Sequence, residues 1–372
     1  MKVAVIGAGW AGVATARSLF DAGIEVEVFE KSDRVGGHSR TEMMEGVVYE
    51  PNGAHIFHTS NADVARFVRR FGLNRQYEHS VVSEVFLHPD DEEGHLLSWP
   101  PQLGEIRRLS IWPAVERELS ELPPQPQGED LESHVISMMG PTLYRLFIRD
   151  YTIKQWDCEP SQLSSRLAPK RIELRDDGYR RLFRDRWEFF GPRGANEALE
   201  NAAAGIPLNL DTEMKASEME HLGTEFDFIV VTAPLDVFLG RPGELEWRGI
   251  EMRSVYTEAE EGSTATPSYV VNRPSQRVPY TRTVETKHAT GQRVAGTVVG
   301  HEYPGAPARH YPVPTVDGRY ERVNELLKAE VRSMCPSPVL FCGRLANYTY
   351  INQDQAILQG MGAARDILEV GP

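Results

Sequence analysis

Cysteine is scarce in this sequence: Cys158, Cys335 and Cys342 are the only three among 372 residues. Their number and spacing exclude a disulfide framework and a compact thiolate metal site, so no metal is expected and a reducing compartment fits. Long apolar runs are also missing. Val3-Ala4-Val5-Ile6 stops at glycines, too short to span a bilayer and without the three-part pattern of a signal peptide. The expected location is therefore cytoplasmic, with no membrane partner. Positive charge is not in excess, since 40 Lys plus Arg stand against 54 Asp plus Glu, a formal net charge of -14. General nucleic-acid binding is not expected, although a local basic groove remains compatible with that total. Repeats and low-complexity segments are absent as well. What remains, 41% hydrophobic and 25% charged, describes an ordered chain with room for two interlocked domains.

The best-defined local pattern lies at the start. Lys2 to Ile6 reads as a strand, Trp10 to Ala22 as a helix and Glu25 to Glu30 as a second strand, the opening of a dinucleotide-binding unit. Gly7-Ala8-Gly9-Trp10-Ala11-Gly12 spans the strand-to-helix turn. Gly7, Gly9 and Gly12 there permit a tight turn and close approach of a pyrophosphate to unpaired helix-start N–H groups. A plain structural turn is the competing reading. Glu30 ends the second strand where a carboxylate can accept from an adenosine ribose. This signal alone serves NAD or FAD. Asp33-Arg34-Val35-Gly36-Gly37 follows at once and resembles the extended signature of FAD-binding oxidoreductases, which favours FAD. Gly36 and Gly37 suit a second backbone turn, while Arg34 either contacts phosphate or solvates the local surface.

Further along, Glu121 to Asp130 is acidic and proline-rich and reads as an exposed connection. Tyr144 to Trp156 fits a helical insertion, and Tyr269 to Val271, Arg293 to Gly300 and Arg309 to Val313 are β-compatible. Gln353 to Leu368 reads as a helix with Ala356, Leu358, Met361 and Ala364 partly on its packing side.

Family-specific patterns then appear in order along the chain. They are Gly53-Ala54-His55-Ile56-Phe57-His58-Thr59, Tyr151-Thr152-Ile153-Lys154-Gln155-Trp156, Pro279-Tyr280-Thr281-Arg282-Thr283-Val284-Glu285-Thr286-Lys287-His288, His301-Glu302-Tyr303-Pro304 and Gly343-Arg344-Leu345-Ala346-Asn347-Tyr348. Together they resemble the UDP-galactopyranose mutases, the enzymes that form UDP-galactofuranose. The resemblance implies an α/β protein with a Rossmann-like FAD-binding domain, an inserted helical domain and a sheet-rich substrate domain. Along the chain this corresponds to 1–75 for the first part of the FAD domain and 76–185 for substrate-site sheet and helical insertion. Residues 186–240 return to the FAD core, 241–325 form substrate-domain sheet and 326–372 return again to the FAD domain. A homodimer is the family expectation.

The same resemblance assigns roles residue by residue. His58 matches the histidine beside the isoalloxazine ring and His55 the first of the pair; satisfied structural histidines are the alternative. Arg175 and Arg282 resemble the two arginines that hold the diphosphate, a task that suits a planar guanidinium fork. Arg166 through Arg186 carries eight Lys or Arg against four Asp or Glu, either a diphosphate funnel or a solvated surface. Phe147 matches the aromatic that cradles the base and Trp156 an aromatic of the same helical domain, although both also suit a helix core, while the family position of Tyr151 faces the nucleotide phosphates. Tyr311 and Tyr350 resemble tyrosines that contact the phosphates, with core packing as the alternative. Arg344 is expected to approach FAD near its reactive ring.

The implied reaction is an isomerisation without net redox change. N5 of reduced FAD attacks the anomeric carbon, displaces the nucleotide diphosphate and holds the sugar while its ring opens and recloses. NADH, NADPH or another reductant would supply the reduced flavin. Two departures from the family pattern bear on specificity. Trp187 stands where a phosphate-binding phenol is expected, within a rewritten segment Asp185-Arg186-Trp187-Glu188-Phe189-Phe190-Gly191-Pro192-Arg193-Gly194, and Asn352 stands where a carboxylate is expected. The expected activity is therefore that of a nucleotide-sugar pyranose-furanose mutase acting on UDP-galactose, or on a related deoxysugar or a different base. An FAD-dependent oxidase or dehydrogenase and a noncatalytic nucleotide-sugar sensor are the alternatives.

Overall fold

The computed structural model describes residues 1–168 and 172–371. Lys170 and Arg171 of the basic stretch lie outside the described residues. A five-stranded parallel sheet forms one half of the molecule, in the order Val339–Phe341, Phe228–Val231, Lys2–Ile6, Glu25–Phe29, Leu208–Asn209. Because successive side chains of a strand face opposite ways, Val3 and Val5 enter one core and Ala4 and Ile6 another. The first core is closed by the helices Trp10–Asp21 and Gln353–Val370, the second by Met219–Glu225 and Arg319–Ser333. Burial on both faces explains why residues 3–6 and Phe228–Val231 read as unbroken apolar runs, whereas Glu25–Phe29 alternates valine with glutamate.

The last helix packs on the first through Ile357, Gly360, Ala364 and Ile367, which are buried. Leu358, expected to pack, is 42% exposed. Close approach selects the face: a Cβ at Gly360 would lie 2.3 Å from the Ala11 carbonyl oxygen, so the small residues mark the contact and the larger Leu358 turns outward.

The second sheet has six strands, in the order Trp247–Thr257, Thr297–Pro312, Arg282–Val284, Val270–Asn272, Val81–Val85, His95–Trp99. All neighbours are antiparallel except Val270–Asn272 beside Val81–Val85. The two β-compatible runs between Arg293 and Val313 form one strand, Thr297–Pro312. Pro304 and Gly305 do not interrupt it because they lie where its register with Trp247–Thr257 shifts around Gly249, a place where a sheet tolerates missing N–H groups.

A helical layer closes the open side of that sheet. It contains Trp112–Ser120, Leu131–Tyr144, a π-helical turn at Arg145–Arg149 and the short helix Asp150–Trp156. Val135, Met139, Leu143 and Phe147 share a core with Val85 and Leu97 of the sheet. No helix among the described residues is long and apolar enough to cross a membrane.

Candidate active site

The dinucleotide turn has geometry that only glycine allows. Gly7 has φ +101°, and a Cβ on it would meet Thr232 Oγ1 at 2.2 Å. At Gly12 a Cβ would stand 1.9 Å from the Gly7 carbonyl oxygen, so the strand-to-helix turn is closed by direct backbone contact. Gly9 differs, because a Cβ there meets nothing within 4 Å. Gly9 is also the N-cap of the first helix and supplies no side-chain cap, which leaves helix-start N–H groups facing open space. Gly37, at φ +54°, sits with its Cβ direction 3.3 Å from the Gly9 Cα, and Gly36 N–H donates to the Ala8 carbonyl at 2.8 Å. The second glycine turn therefore docks on the first.

Glu30 is buried and accepts from Ala8 N–H at 2.7 Å and Ser32 N–H at 3.0 Å. A carboxylate has about four acceptor positions, so it retains capacity for ribose hydroxyls. An open glycine-lined helix start with a carboxylate at the end of the next strand fits the adenosine diphosphate half of FAD. Arg34 stands apart from this cradle: it is half exposed and donates to Glu42 at 3.0 Å.

A cleft between the two sheets and the helical layer gathers most of the remaining site residues. His55, His58, Arg344 and Asn352 line one side. Phe147, Tyr151 and Trp156 enter from the helical layer, Arg282 and Tyr311 come from strands of the six-stranded sheet, and Tyr350 comes from the segment before the last helix. Trp156, Tyr311 and Tyr350 form an aromatic triangle with ring centroids 5.5–6.3 Å apart. The Arg344 guanidinium lies 5.5 Å from the Tyr311 ring and 5.3 Å from the Tyr350 ring, and donates to the carbonyls of His310 and Ile351. Burial pushes the Tyr151 and Tyr311 phenols upward, so both remain O–H donors at neutral pH.

Arg282 heads the strand Arg282–Val284, with its guanidinium 5.8 Å from the Tyr151 ring and 3.4 Å from the carboxylate of Glu302, which is fully buried. Thr281 Oγ1 donates to the other Glu302 oxygen at 3.0 Å. Gln155 Nε2 and His79 Nδ1 are buried without a hydrogen-bond partner, and both residues line the cleft. Similar atoms occur away from the cleft, at Arg17, Trp247 and Asn324 for example, but these two lie where a polar ligand entering the cleft could satisfy them.

The two histidines are held differently. His55 donates its backbone N–H to Glu50 at 2.8 Å, and its Nδ1 lies 2.6 Å from the Gly53 carbonyl. Burial lowers its pKa to about 4, with the charges of Arg344 and Arg282 acting the same way, so it is neutral at pH 7. A neutral ring beside a carbonyl donates from Nδ1, which leaves Nε2 an acceptor. His58 lies on the strand Phe57–Thr59, paired with Trp187–Phe189, and its Nδ1 is 2.8 Å from Asp185. Phe183 stacks on the His58 ring at 3.5 Å between centroids.

Arg175 and Trp187 are not brought to the cleft walls. Arg175 is 4% exposed and donates to Glu173 at 2.7 Å and to the carbonyls of Tyr179, Arg181 and Leu182. Its guanidinium folds the 173–182 segment instead of facing the cleft. Other arginines of that basic stretch are paired with acids, Arg184 with Glu173 and Asp177, Arg180 with Glu105 and Arg181 with Glu188. The Trp187 ring lies under the guanidinium groups of Arg69 and Arg186, at 5.4 and 4.6 Å. Sequence reasoning gave no role to Asp185, Glu302 or His79. Asp185 and Glu302 stand inside quoted motifs, so their position was available; His79 carried no signal beyond its residue type.

Residues 146–350 match the UDP-galactopyranose mutase family, and residues 5–71 match the NAD(P)-binding Rossmann-like domain. A probable UDP-galactopyranose mutase of Klebsiella pneumoniae is 26% identical over 388 residues, covering 99% of this chain and 94% of that protein. A dTDP-fucopyranose mutase of Escherichia coli is 26% identical over 389 residues, covering 98% and 97%. The crystal structure of a reduced UDP-galactopyranose mutase superposes with a TM-score of 0.77 at 16% identity, over 100% of this chain and 96% of that one. With a family match that takes in more than half the sequence and runs through the cleft, the chain belongs to the UDP-galactopyranose mutase family, whose general activity is that of a flavin-dependent isomerase.

Proposed function

We propose that this protein interconverts the pyranose and furanose forms of a nucleotide-diphosphate sugar, using reduced FAD. The observation that carries the reading is the position of Arg282, a guanidinium at the cleft wall between the histidine side and the aromatic helical layer. Such an arrangement suits a ligand with a base at one end, two phosphates in the middle and a sugar at the other. Bound reduced flavin would supply the nucleophile, N5, that forms a covalent bond to the sugar's anomeric carbon as the diphosphate leaves.

The chain's own contribution is orientation and charge. Arg282 is to hold the diphosphate through its donor fork, with Tyr151, Tyr311 and Tyr350 adding hydroxyl donors. Phe147 and Trp156 are to pack on the base, and the walls of the cleft are to keep water from competing for the sugar. Arg344, His55 and His58 are to face the flavin, with His58 oriented by Asp185 and His55 neutral. Arg34 and Arg175 are to act through local structure, consistent with their partners. The substrate class spans the names of both relatives, a UDP-hexose and a dTDP-deoxysugar; the three free cysteines suit a reducing cytoplasm, where NADH, NADPH or another reductant would reduce the flavin.

The test is anaerobic incubation of the dithionite-reduced, FAD-loaded protein with UDP-galactopyranose, dTDP-fucopyranose and GDP-sugars, followed by chromatography and NMR. Ring-size interconversion at conserved mass without stoichiometric consumption of reductant is expected. In a parallel incubation of the oxidised, FAD-loaded protein in air, a product two hydrogens lighter would establish an oxidase or dehydrogenase instead, and tight binding with no conversion under either condition would establish a sensor.

A further inference from the structure

The helix Asp150–Trp156 carries Tyr151 and Trp156 into the cleft, yet Lys154 between them faces elsewhere. Its ammonium donates to four backbone carbonyls, those of Arg273, Ser275, Val278 and Tyr280, with the last three at 2.7, 3.2 and 3.0 Å. These carbonyls belong to one loop. The strands Val270–Asn272 and Arg282–Val284 pair antiparallel with Asn272 opposite Arg282, so residues 273–281 form the turn of a hairpin whose returning strand begins with Arg282.

A loop of this length has a substantial ordering cost and needs partners for its carbonyls. Pro274 and Pro279 remove two N–H donors from it, so fewer carbonyls can be satisfied within the loop itself. Its base is closed by Arg273 N–H donating to the Thr281 carbonyl at 2.8 Å. Elsewhere it is tied by Arg277, which donates to the carbonyls of Pro89 and Asp91, and by the Arg273–Glu84 ion pair. Lys154 gathers its interior carbonyls onto the helical layer. Next to it, Gln155 Oε1 lies 3.3 Å from Thr281 Oγ1, whose proton it shares with Glu302, a weaker second tie between the same helix and the residue before Arg282.

We propose that Lys154 is a positioning residue that fixes the diphosphate-holding Arg282 relative to Trp156, the part of the nucleoside wall carried by the same helix. This rests on the nucleotide-sugar reading above. An ammonium suits the task because it presents three donors in a compact tetrahedral head, which a cluster of converging carbonyls can share. Without it, base and diphosphate would each find their partners, but the two sets would no longer be held at the spacing of one ligand. The coupling between them is what the substitution removes.

The experiment measures binding of UMP, UDP, dTMP and dTDP to FAD-loaded wild-type, K154M and K154A proteins by calorimetry. In the wild type the diphosphates bind more tightly than the monophosphates. In K154M and K154A that diphosphate advantage shrinks by about tenfold while monophosphate affinity changes little, since the lost quantity is the coupling between two sites. A purely structural role would weaken all four ligands together. Methylammonium, which can occupy the emptied carbonyl cluster, restores the diphosphate advantage of K154A, whereas tetramethylammonium, lacking N–H donors, does not.

An undiminished diphosphate advantage in both folded variants overturns the inference alone, as does equal restoration by the two cations. A wild type that binds none of the four nucleotides overturns the nucleotide-sugar reading as well. Should K154A fail to fold in buffer, preparation in methylammonium recovers it if the carbonyl cluster is the cause, and failure of both variants to recover there counts against the proposal.

Discussion

His58 Nδ1 and the Asp185 carboxylate lie 2.8 Å apart, across the seam between the strand Phe57–Thr59 and the segment that enters Trp187–Phe189. Asp185 also accepts from Ser60 Oγ at 2.8 Å, which fixes the carboxylate before it fixes the ring. Asp185→Asn keeps the shape but removes the charge and places an amide donor against Nδ1. Turnover is expected to fall about 10–100-fold, the usual consequence of losing the group that orients a site histidine. FAD content, read from the flavin absorbance, stays unchanged. A variant with wild-type turnover would show that Asp185 supports the fold only.

The two arginines paired by sequence are expected to behave differently. Arg282→Lys keeps a cation beside Glu302 but loses the planar fork, so nucleotide-diphosphate affinity and single-turnover rate both fall, by about tenfold or more. Arg175→Ala strands the carbonyls of Tyr179, Arg181 and Leu182 and costs about 3–5 kcal/mol of stability, as breaking a buried charged network does. Thermal unfolding checks this. A drop in turnover at unchanged melting temperature would instead place Arg175 on the diphosphate.

Gly9 and Gly12 separate cofactor binding from folding. Gly12→Ala drives a methyl into the Gly7 carbonyl and is expected to destabilise the apoprotein and abolish FAD retention together. Gly9 has φ -76° and open space around it, so Gly9→Ala costs the apoprotein only about 1 kcal/mol, the poorer N-cap propensity of alanine, and leaves it folded. FAD retention after gel filtration should nonetheless fall, because the methyl projects where the pyrophosphate approaches. Equal FAD retention would remove Gly9 from the cofactor cradle.

Acid stability depends on Glu285. Burial pushes this carboxyl up, but hydrogen bonds from His288, Thr266, Thr297 and the Ala265 N–H outweigh it and bring the pKa to about 2, below the ordinary 4.5. A pKa depressed in the folded state contributes stability that is fully present above about 4.5 and is lost as pH falls toward 2. Melting temperatures of wild type and Glu285→Gln between pH 7 and pH 2.5 should therefore converge on acidification. Parallel curves would mean that Glu285 is protonated, or equally stabilised, throughout.

The glycine turn and its flanking strands were legible because backbone geometry there dictates residue type: Lys2–Ile6 is read to the residue, and the first helix to within one. Arg282 and Arg344 were legible for another reason, as members of ordered motifs, whereas Tyr311 and Tyr350 stand outside those motifs and were reached only through the resemblance; all four line the cleft. Arg175 was not legible, since a guanidinium that grips a diphosphate and one that grips three carbonyls look alike in sequence. Only the fold of 173–182 distinguishes them. Leu358 misled for a related reason: apolar periodicity marks a face, but the Gly360 contact with Ala11 decides which face. The His58–Asp185 pair joins residues 127 positions apart, and nothing local to either announces the other.

The order of strands in the parallel sheet also constrains how the chain is made. Lys2–Ile6 is flanked by Glu25–Phe29 and Phe228–Val231, and the latter by Val339–Phe341, so most of the chain must be synthesised before that sheet has its full set of neighbours. Until then the apolar surface of Trp10–Asp21 awaits Gln353–Val370, which is made later still. The flavin cradle is thus assembled from segments far apart in the chain. A nascent chain halted before residue 339 would carry the whole glycine signature and still lack the scaffold that holds it shut.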